Sequence, residues 1–263
     1  DWVPVQLLHI VPTLRSEIHY SYFGGGRIPA LLTDAEKTEK TDFFFSPSLG
    51  VRYEMVDGLT LRANLGRYTR TPDLSEMFGD RGSVVGNPDL EPEIGYNVDA
   101  GLTYELVGRR LLDLLRCDAA WFASWVDDLI ALEQNSQSTS QFINVDAARI
   151  QGLEFALRVA LWDLVTLSGN YTYFDGVDDS DRERYQGKRL PGRPMHEIYG
   201  RFDLRRTGKI WGAGGWFDVD YAGKSYVGQY NNEDYVTMHL FLGTGARFEL
   251  PPAGLTFTFE VKN

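Results

Sequence analysis

From residue 94 onward the chain reads Ile94-Gly95-Tyr96-Asn97-Val98-Asp99-Ala100-Gly101-Leu102-Thr103-Tyr104-Glu105-Leu106. Apolar and aromatic side chains fall on every second residue, and small or polar ones fill the positions between them. Successive side chains of a β-strand point to opposite faces of its sheet, so this period of two predicts a strand with one apolar and one polar face. The same alternation recurs at 59–65 and 255–262. Helical spacing fits none of the three stretches, and the chain is predicted to be all-β.

The same test predicts about eleven strands along the chain. Their predicted ranges are 5–23, 44–56, 59–71, 93–107, 111–132, 142–160, 164–175, 195–206, 210–223, 235–249 and 255–263. Many of these are longer than the usual strand of about five or six residues in a globular protein. Tilted strands of about ten residues or more are what a bilayer requires, so the lengths favour an antiparallel transmembrane β-barrel over a soluble sandwich.

The predicted connections alternate between short and long. The tight turns are 57–58, 108–110, 161–163, 207–209 and 251–254, and the long polar loops are 24–43, 72–92, 133–141, 176–194 and 224–234. The pair Asp57-Gly58 predicts a type I′ hairpin turn, in which both central residues have positive φ. Short turns at one end and long loops at the other are typical of outer-membrane barrels, whose long loops lie outside the cell.

Aromatic residues form two predicted bands, one near each membrane interface. Tyr53, Tyr104, Trp162, Trp211 and Phe248 fall near the tight turns, and Tyr20, Tyr22, Tyr96, Trp125, Tyr173 and Tyr221 fall near the long loops. The alternative is that aromatics simply favour strands.

The alternation also predicts a set of side chains that point into the barrel: Arg62, Asn64, Tyr68, Asp99, Glu105, Glu154, Arg158, Arg201, Asp203, Asp218, Asp220, His239 and Arg247. For these we expect mainly cross-strand ladders of opposite charges.

Composition excludes several classes of function. The formal net charge of -11 argues against nucleic-acid binding, which needs a basic face. A lone Cys117 forms no internal disulfide, and no apolar run is long enough for a transmembrane helix. The chain starts at Asp1 without a signal peptide, which predicts that a targeting segment lies upstream.

Four stretches, in order, carry a family resemblance. The first is Gly66-Arg67-Tyr68-Thr69-Arg70-Thr71-Pro72-Asp73-Leu74-Ser75-Glu76-Met77-Phe78, followed by Gly86-Asn87-Pro88-Asp89-Leu90-Glu91-Pro92-Glu93. The others are Trp125-Val126-Asp127-Asp128-Leu129-Ile130, the run 144–154 with its Arg149-x-x-Gly152-x-Glu154 pattern, and 171–196 with its Pro-x-x-Pro-x-His entry to a strand. Together they resemble the β-barrel of TonB-dependent outer-membrane receptors.

The resemblance implies a fold and a function. Residues 1–263 would be a single partial barrel domain, about the eleventh to the twenty-first of 22 strands, with the plug, the TonB box and the last strand lying outside it. The function implied is active import of a scarce nutrient, first a ferric siderophore and then cobalamin, haem or a saccharide, energised by the TonB complex through the plug. No cofactor and no enzymatic activity are implied. A plug-less porin, a surface adhesin and a barrel-borne enzyme remain the alternatives.

Ligand-binding candidates lie on the outer loops, where Arg suits an anionic chelate and Tyr a stacked ligand. They are Arg67, Tyr68, Arg70, Phe78, Arg81, Arg184, Tyr185, Arg189, Tyr226 and Tyr230, with Arg182 and Tyr235 nearby. Asp178-Asp179-Ser180-Asp181 suggests calcium but lacks the other ligands of an EF-hand loop, and a solvated acidic loop is favoured. The four histidines show no metal-ligand spacing.

Overall fold

A computed structural model of the chain describes residues 2–5, 7–23, 26–28, 33–35, 38–80, 82–109, 111–134, 138–181, 183, 185–227 and 235–263. Within these ranges the strands are β1 (Trp2–Val5), β2 (Leu8–Phe23), β3 (Gly26–Ile28), β4 (Thr33–Ala35), β5 (Thr38–Val56), β6 (Leu59–Arg70), β7 (Val84–Val85), β8 (Glu93–Arg109), β9 (Leu112–Gln134), β10 (Ser140–Leu161), β11 (Val165–Asp178), β12 (His196–Thr207), β13 (Gly212–Ala222), β14 (Ser225–Tyr226), β15 (Tyr235–Val236), β16 (His239–Leu250) and β17 (Leu255–Lys262). The same ranges hold one short helix, α1 (Leu74–Phe78), and a 3-10 turn at Pro251–Ala253.

The main sheet is an antiparallel meander. Its order is β1-β2-β5-β6-β8-β9-β10-β11-β12-β13-β16-β17, so each long strand pairs with the next one along the chain. β7 adds to β10 in parallel, and β3-β4 and β14-β15 are small separate hairpins. The eleven predicted strands are confirmed as the long strands of this sheet. The first begins at Leu8 after a separate β1, and the tenth begins at His239 because Tyr235–Val236 belongs to β15.

Residues that pair directly in neighbouring strands lie on the same face of the sheet. Asn64 pairs with Asp99, Asp99 with Phe122, and Phe122 with Gly152. Followed through every pair, this register places all thirteen residues predicted to point into the barrel on one face, called here the polar face. The opposite side is called the apolar face.

Charged and hydroxyl side chains of the polar face are bonded to one another. The Thr103 hydroxyl donates to Asp118 at 2.6 Å, and Asp118 also accepts from Arg116 at 2.9 Å. Farther along the sheet, Arg205 reaches Glu249 two strands away at 2.8 Å. Opposite charges of the polar face thus pair along one strand, as Arg201 does with Asp203 at 2.9 Å, as well as between strands, so the expected cross-strand ladder is found only in part.

The apolar face bears the predicted aromatic bands, and most of its large side chains are exposed. By register, Tyr53, Tyr104, Phe248, Tyr20, Tyr22, Tyr96, Trp125, Tyr173 and Tyr221 lie on this face, while Trp162 and Trp211 lie in turns. An exposed apolar face with rings toward both ends is what a lipid-facing barrel wall requires. No helix among the described residues has the length and apolarity needed to cross a membrane.

Two local predictions need correction. The turn at Asp57-Gly58 is not type I′, because only Gly58 has positive φ, and a register shift between Glu54 and Val56 absorbs the extra residue. Successive positive φ values occur instead at Trp162 and Asp163.

The loop predicted at 72–92 contains α1 and β7. The helical turn α1 forms because Asp73 caps it and its third residue, Glu76, accepts the Asp73 N–H.

Candidate functional site

The loop from residue 71 to residue 92, called here the clamp loop, is closed at its base by an ion-pair triad. Arg70 Nη1 lies 3.0 Å from Glu76 Oε1, and Arg70 Nη2 lies 2.9 Å from Glu93 Oε1. The two carboxylates are buried, with 8% and 5% of their residue surfaces exposed. One guanidinium therefore bridges two buried acids, one near each end of the loop.

Each carboxylate of the triad also accepts a backbone N–H. Glu76 Oε2 accepts from Asp73 N at 2.7 Å, and Glu93 Oε1 accepts from Ile130 N at 2.8 Å. The β8–β9 ladder ends with the pair of Ile94 and Asp127. The bond from Ile130 N–H to the Glu93 side chain adds one hydrogen bond beyond the end of that ladder. It lies next to Asp128, which has a positive φ.

The rest of the clamp loop is tied to β10. Asn87 Nδ2 donates to Phe142 O at 2.9 Å, and Asn144 Oδ1 accepts from Glu91 N at 2.9 Å. Ser140 and Gln141 pair with β7. Because β10 lies beyond β8 and β9 in the sheet, the loop crosses the ends of those two strands and is held at both sides. Within it, the N–H groups of Gly82 and Val84 hold the pKa of the Asp80 carboxyl below its usual value.

A small apolar cluster lies beside the clamp loop on the polar face. It contains Val126, Ala148 and Leu190, with Tyr68 packed against it. The Tyr68 ring covers Gly95, where an added Cβ would lie 2.3 Å from Tyr68 Cε1. Leu190 comes from the loop between β11 and β12, so this cluster fixes that second loop to the wall.

Two cations at the loop end lie on aromatic rings. Lys224 Nζ is 5.9 Å from the Tyr226 ring centre and 5.1 Å from that of Tyr235. Arg193 Cζ is 5.6 Å from the Phe174 ring centre. Both cations are exposed, and neither has a carboxylate partner within the part of the chain that the structure describes. Lys224 and Arg193 thus each present an exposed positive charge next to a stacking surface.

The candidate residues of the first motif are divided between the two faces. Tyr68 and Arg70 lie on the polar face, where Tyr68 also lines a cavity of about 500 Å³. Arg67 lies on the apolar face, opposite Tyr96. Phe78 ends α1 and is half-buried. Arg81 lies outside the described residues.

The candidates of the later loops also occupy different environments. Arg189 Nη1 forms an ion pair with Asp175 at 3.1 Å. Tyr185 is half-buried and accepts the Lys188 N–H through its carbonyl, and Tyr226 accepts the Gly192 N–H, which joins two loops. Arg182, Arg184 and Tyr230 lie outside the described residues. A nutrient-binding role for any of these residues stays a prediction.

The acidic run 178–181 does not form a metal site in the structure. Asp178 is buried and its Oδ1 accepts the Ser180 N–H at 2.9 Å. Across the described ranges, no group of three or more His, Cys, Asp or Glu side chains is placed to hold a metal ion.

Sequence reasoning missed the partners that make the site. Glu76 carried a signal, since Asp73-x-x-Glu76 is a capping-box spacing. Glu93 and Asn144 lay within the quoted motifs, but no local pattern indicates that they bond to Arg70 and Glu91. No local sequence pattern predicts the contacts of Lys224, because one of the two aromatic rings near it belongs to Tyr235, in a later strand.

An antiparallel meander with a lipid-compatible aromatic face, a charged inner face and loops tied across one end is the wall of an outer-membrane β-barrel. Comparison with protein families makes the class specific. Residues 3–263 match the TonB dependent receptor-like β-barrel family. The chain belongs to this family, and its strands form part of the wall of an outer-membrane barrel.

Individual relatives are distant and longer. The iron-regulated outer membrane virulence protein of Vibrio cholerae is 26% identical over 194 residues, which cover 68% of this chain and 28% of the relative. The vitamin B12 transporter BtuB of Vibrio vulnificus is 26% identical over 251 residues, which cover 85% of this chain and 38% of the relative. This chain therefore spans well under half the length of either relative.

Solved structures share the fold. The copper transporter OprC superposes with a TM-score of 0.68 at 22% identity, covering 94% of this chain and 37% of that one. The siderophore receptor PiuA from Acinetobacter baumannii gives 0.68 at 17% identity, covering 92% of this chain and 34% of that one. At these identities the superpositions establish the barrel architecture and leave the ligand open.

Proposed function

We propose that this chain forms part of the wall and outer mouth of a receptor that imports a ferric siderophore across the outer membrane, energised by TonB. Residues 1–263 would belong to one barrel domain, and the TonB complex would act through a plug domain. The observation that carries the proposal is the clamp loop, held by Arg70 across the end of a charged barrel wall. A loop fixed in this way provides a rigid mouth on which a ligand can be captured.

The choice of a ferric siderophore has two supports. One relative is named for iron regulation and several structural neighbours are named as siderophore receptors. The neighbour OprC is named as a copper transporter and the relative BtuB as a vitamin B12 transporter. The second support is the pair of exposed cations, Lys224 and Arg193, lying on aromatic rings at the loop end. An anionic chelate with aromatic groups would use both the charge and the rings.

Uptake by cells that express the full-length protein tests the transport mechanism. We expect radiolabelled ferric siderophore to accumulate in cells with an intact TonB complex and to stay outside isogenic cells that lack TonB. Equal uptake in both strains would contradict the proposal and indicate a passive pore. Uptake of cyanocobalamin in place of every ferric chelate tested would reassign the ligand while retaining the energised import.

Replacing Lys224 with Gln is expected to weaken binding of an anionic ferric siderophore roughly fivefold, since one exposed charge contributes about 1 kcal/mol. Tryptophan fluorescence titration of the purified full-length protein measures the change. Lys209→Gln is the matched control, because Lys209 lies in the tight turn between β12 and β13 at the other end of the sheet. Equal affinities for Lys224→Gln and the unchanged protein would remove Lys224 from the ligand site.

A further inference from the structure

Arg67 lies on the membrane side of the barrel wall. It pairs with Tyr96 of β8, and Tyr96 pairs with Trp125 of β9. Two residues earlier, Leu65 pairs with Val98 on the same face. Tyr68 and Arg70 have the opposite parity and face the barrel interior. By this parity the side chain of Arg67 lies on the other face of the sheet from Tyr68 and Arg70, while atoms of Arg67 also border the cavity that Tyr68 lines.

Among the described residues of β5, β6 and β8, the surroundings of Arg67 are apolar and hold no counter-charge. Its neighbours on this face of β5, β6 and β8 include Phe45, Leu65 and Tyr96, and no described residue of these three strands places a carboxylate beside it. Arg67 Nη1 donates to the carbonyl of Phe45. The acid Asp127 lies on this face two strands away. A guanidinium has five N–H donors, so most of its capacity is left for another partner.

The bilayer limits what that partner can be. A charged side chain facing hydrocarbon is costly unless it reaches the interface or finds an anion. Tyr96 and Trp125 belong to the aromatic band near the long loops, so the guanidinium lies at the level of the outer leaflet. Lipid phosphates are the anions at that level, and guanidinium binds phosphate through two parallel hydrogen bonds.

We propose that Arg67, flanked by Tyr96 and Trp125, binds a phosphate group of an outer-leaflet lipid. This assignment replaces the nutrient-binding role predicted for Arg67 from the sequence. It depends on insertion of the barrel in the outer membrane and is independent of the ligand that the receptor imports. Arg67 would then anchor the wall beside the clamp loop to the headgroup layer.

Titration of the delipidated full-length protein with diphosphoryl lipid A, followed by native mass spectrometry, tests the proposal. Arg67→Gln is expected to weaken binding about tenfold, the factor that corresponds to about 1.4 kcal/mol. Dephosphorylated lipid A should bind both proteins equally. Arg67→Lys keeps the charge but not the two parallel donors, so its affinity should lie between those of the unchanged protein and Arg67→Gln. Equal binding of dephosphorylated lipid A would show that the loss in Arg67→Gln does not reflect misfolding.

Arg206 provides the matched control. It pairs with Ala213 on the same face, and Ala213 pairs with Phe248 near the tight turns. Protein extracted from intact outer membranes should carry less lipid A when Arg67 is replaced by Gln and an unchanged amount when Arg206 is replaced by Gln. Equal binding of diphosphoryl lipid A by Arg67→Gln and the unchanged protein would overturn the proposal. Equal losses on phosphorylated and dephosphorylated lipid A would also overturn it.

Discussion

Replacing Arg70 with Met is expected to open the clamp loop and expose residues 71–92 to protease. The substitution keeps much of the side-chain volume but leaves Glu76 and Glu93 buried without a counter-ion. Arg70 itself is 38% exposed, but its removal leaves two buried carboxylates unpaired, and we expect a cost of about 3 kcal/mol, the lower end for a buried pair. Cleavage of a transiently open loop follows its open population, so this cost corresponds to cleavage about a hundredfold faster. Limited proteolysis of the full-length protein in detergent, with the cut sites mapped by mass spectrometry, measures the change.

Arg52→Met is the matched control for the clamp. Arg52 pairs with Glu54 at 2.8 Å, but the Glu54 side chain is 40% exposed, against 10% for Glu76 and 6% for Glu93 in the triad. Exposed pairs contribute about 0.2–1 kcal/mol, so this variant should be cut at nearly the original rate. Equal cleavage rates in Arg70→Met and Arg52→Met would show that the triad does not hold the loop.

The long strands could be predicted because the bilayer imposes a simple pattern on them. A wall between lipid and an aqueous interior must alternate along every strand, and residues 94–106 carry that alternation without interruption. The same alternation predicts that Arg67 lies on the apolar face. It follows Leu59, Leu61, Ala63 and Leu65 at every second position of β6. Its place within a recognised motif led instead to the prediction of a loop residue that binds the nutrient, and that role stays a prediction.

The clamp could not be predicted, because its bonds join residues that are distant in sequence. Arg70 reaches Glu93 23 positions away, and Asn144 bonds to Glu91 53 positions away. Alternation determines which face a side chain occupies, but it does not determine how a loop folds back over that face. The short helix α1 lies in such a loop, where only the spacing of Asp73 and Glu76 indicated a helical turn.

Close contacts from two neighbouring strands require glycine at position 152, and its replacement is the second change with a large expected effect. Gly152 pairs with Phe122 of β9 and Phe174 of β11. A Cβ added there would lie 2.2 Å from the carbonyl oxygen of Tyr173 and 2.4 Å from Phe122 Cζ. The oxygen belongs to the neighbouring strand and cannot rotate away, so both the ring and the backbone ladder must move.

Gly152→Ala is therefore expected to lower the free energy of unfolding by roughly 3 kcal/mol, at the upper end of overpacking effects. Urea titration in detergent micelles, with the folded fraction read from heat-modifiable gel mobility, measures the loss. Gly200→Ala is the control, since Gly200 also lies within a strand but an added Cβ there meets nothing within 4 Å. We expect that variant to stay within about 1 kcal/mol of the unchanged protein, because a methyl group in open space displaces nothing. If both variants unfolded at the same urea concentration, the close approach of Phe122 and Tyr173 would not be what requires glycine at position 152.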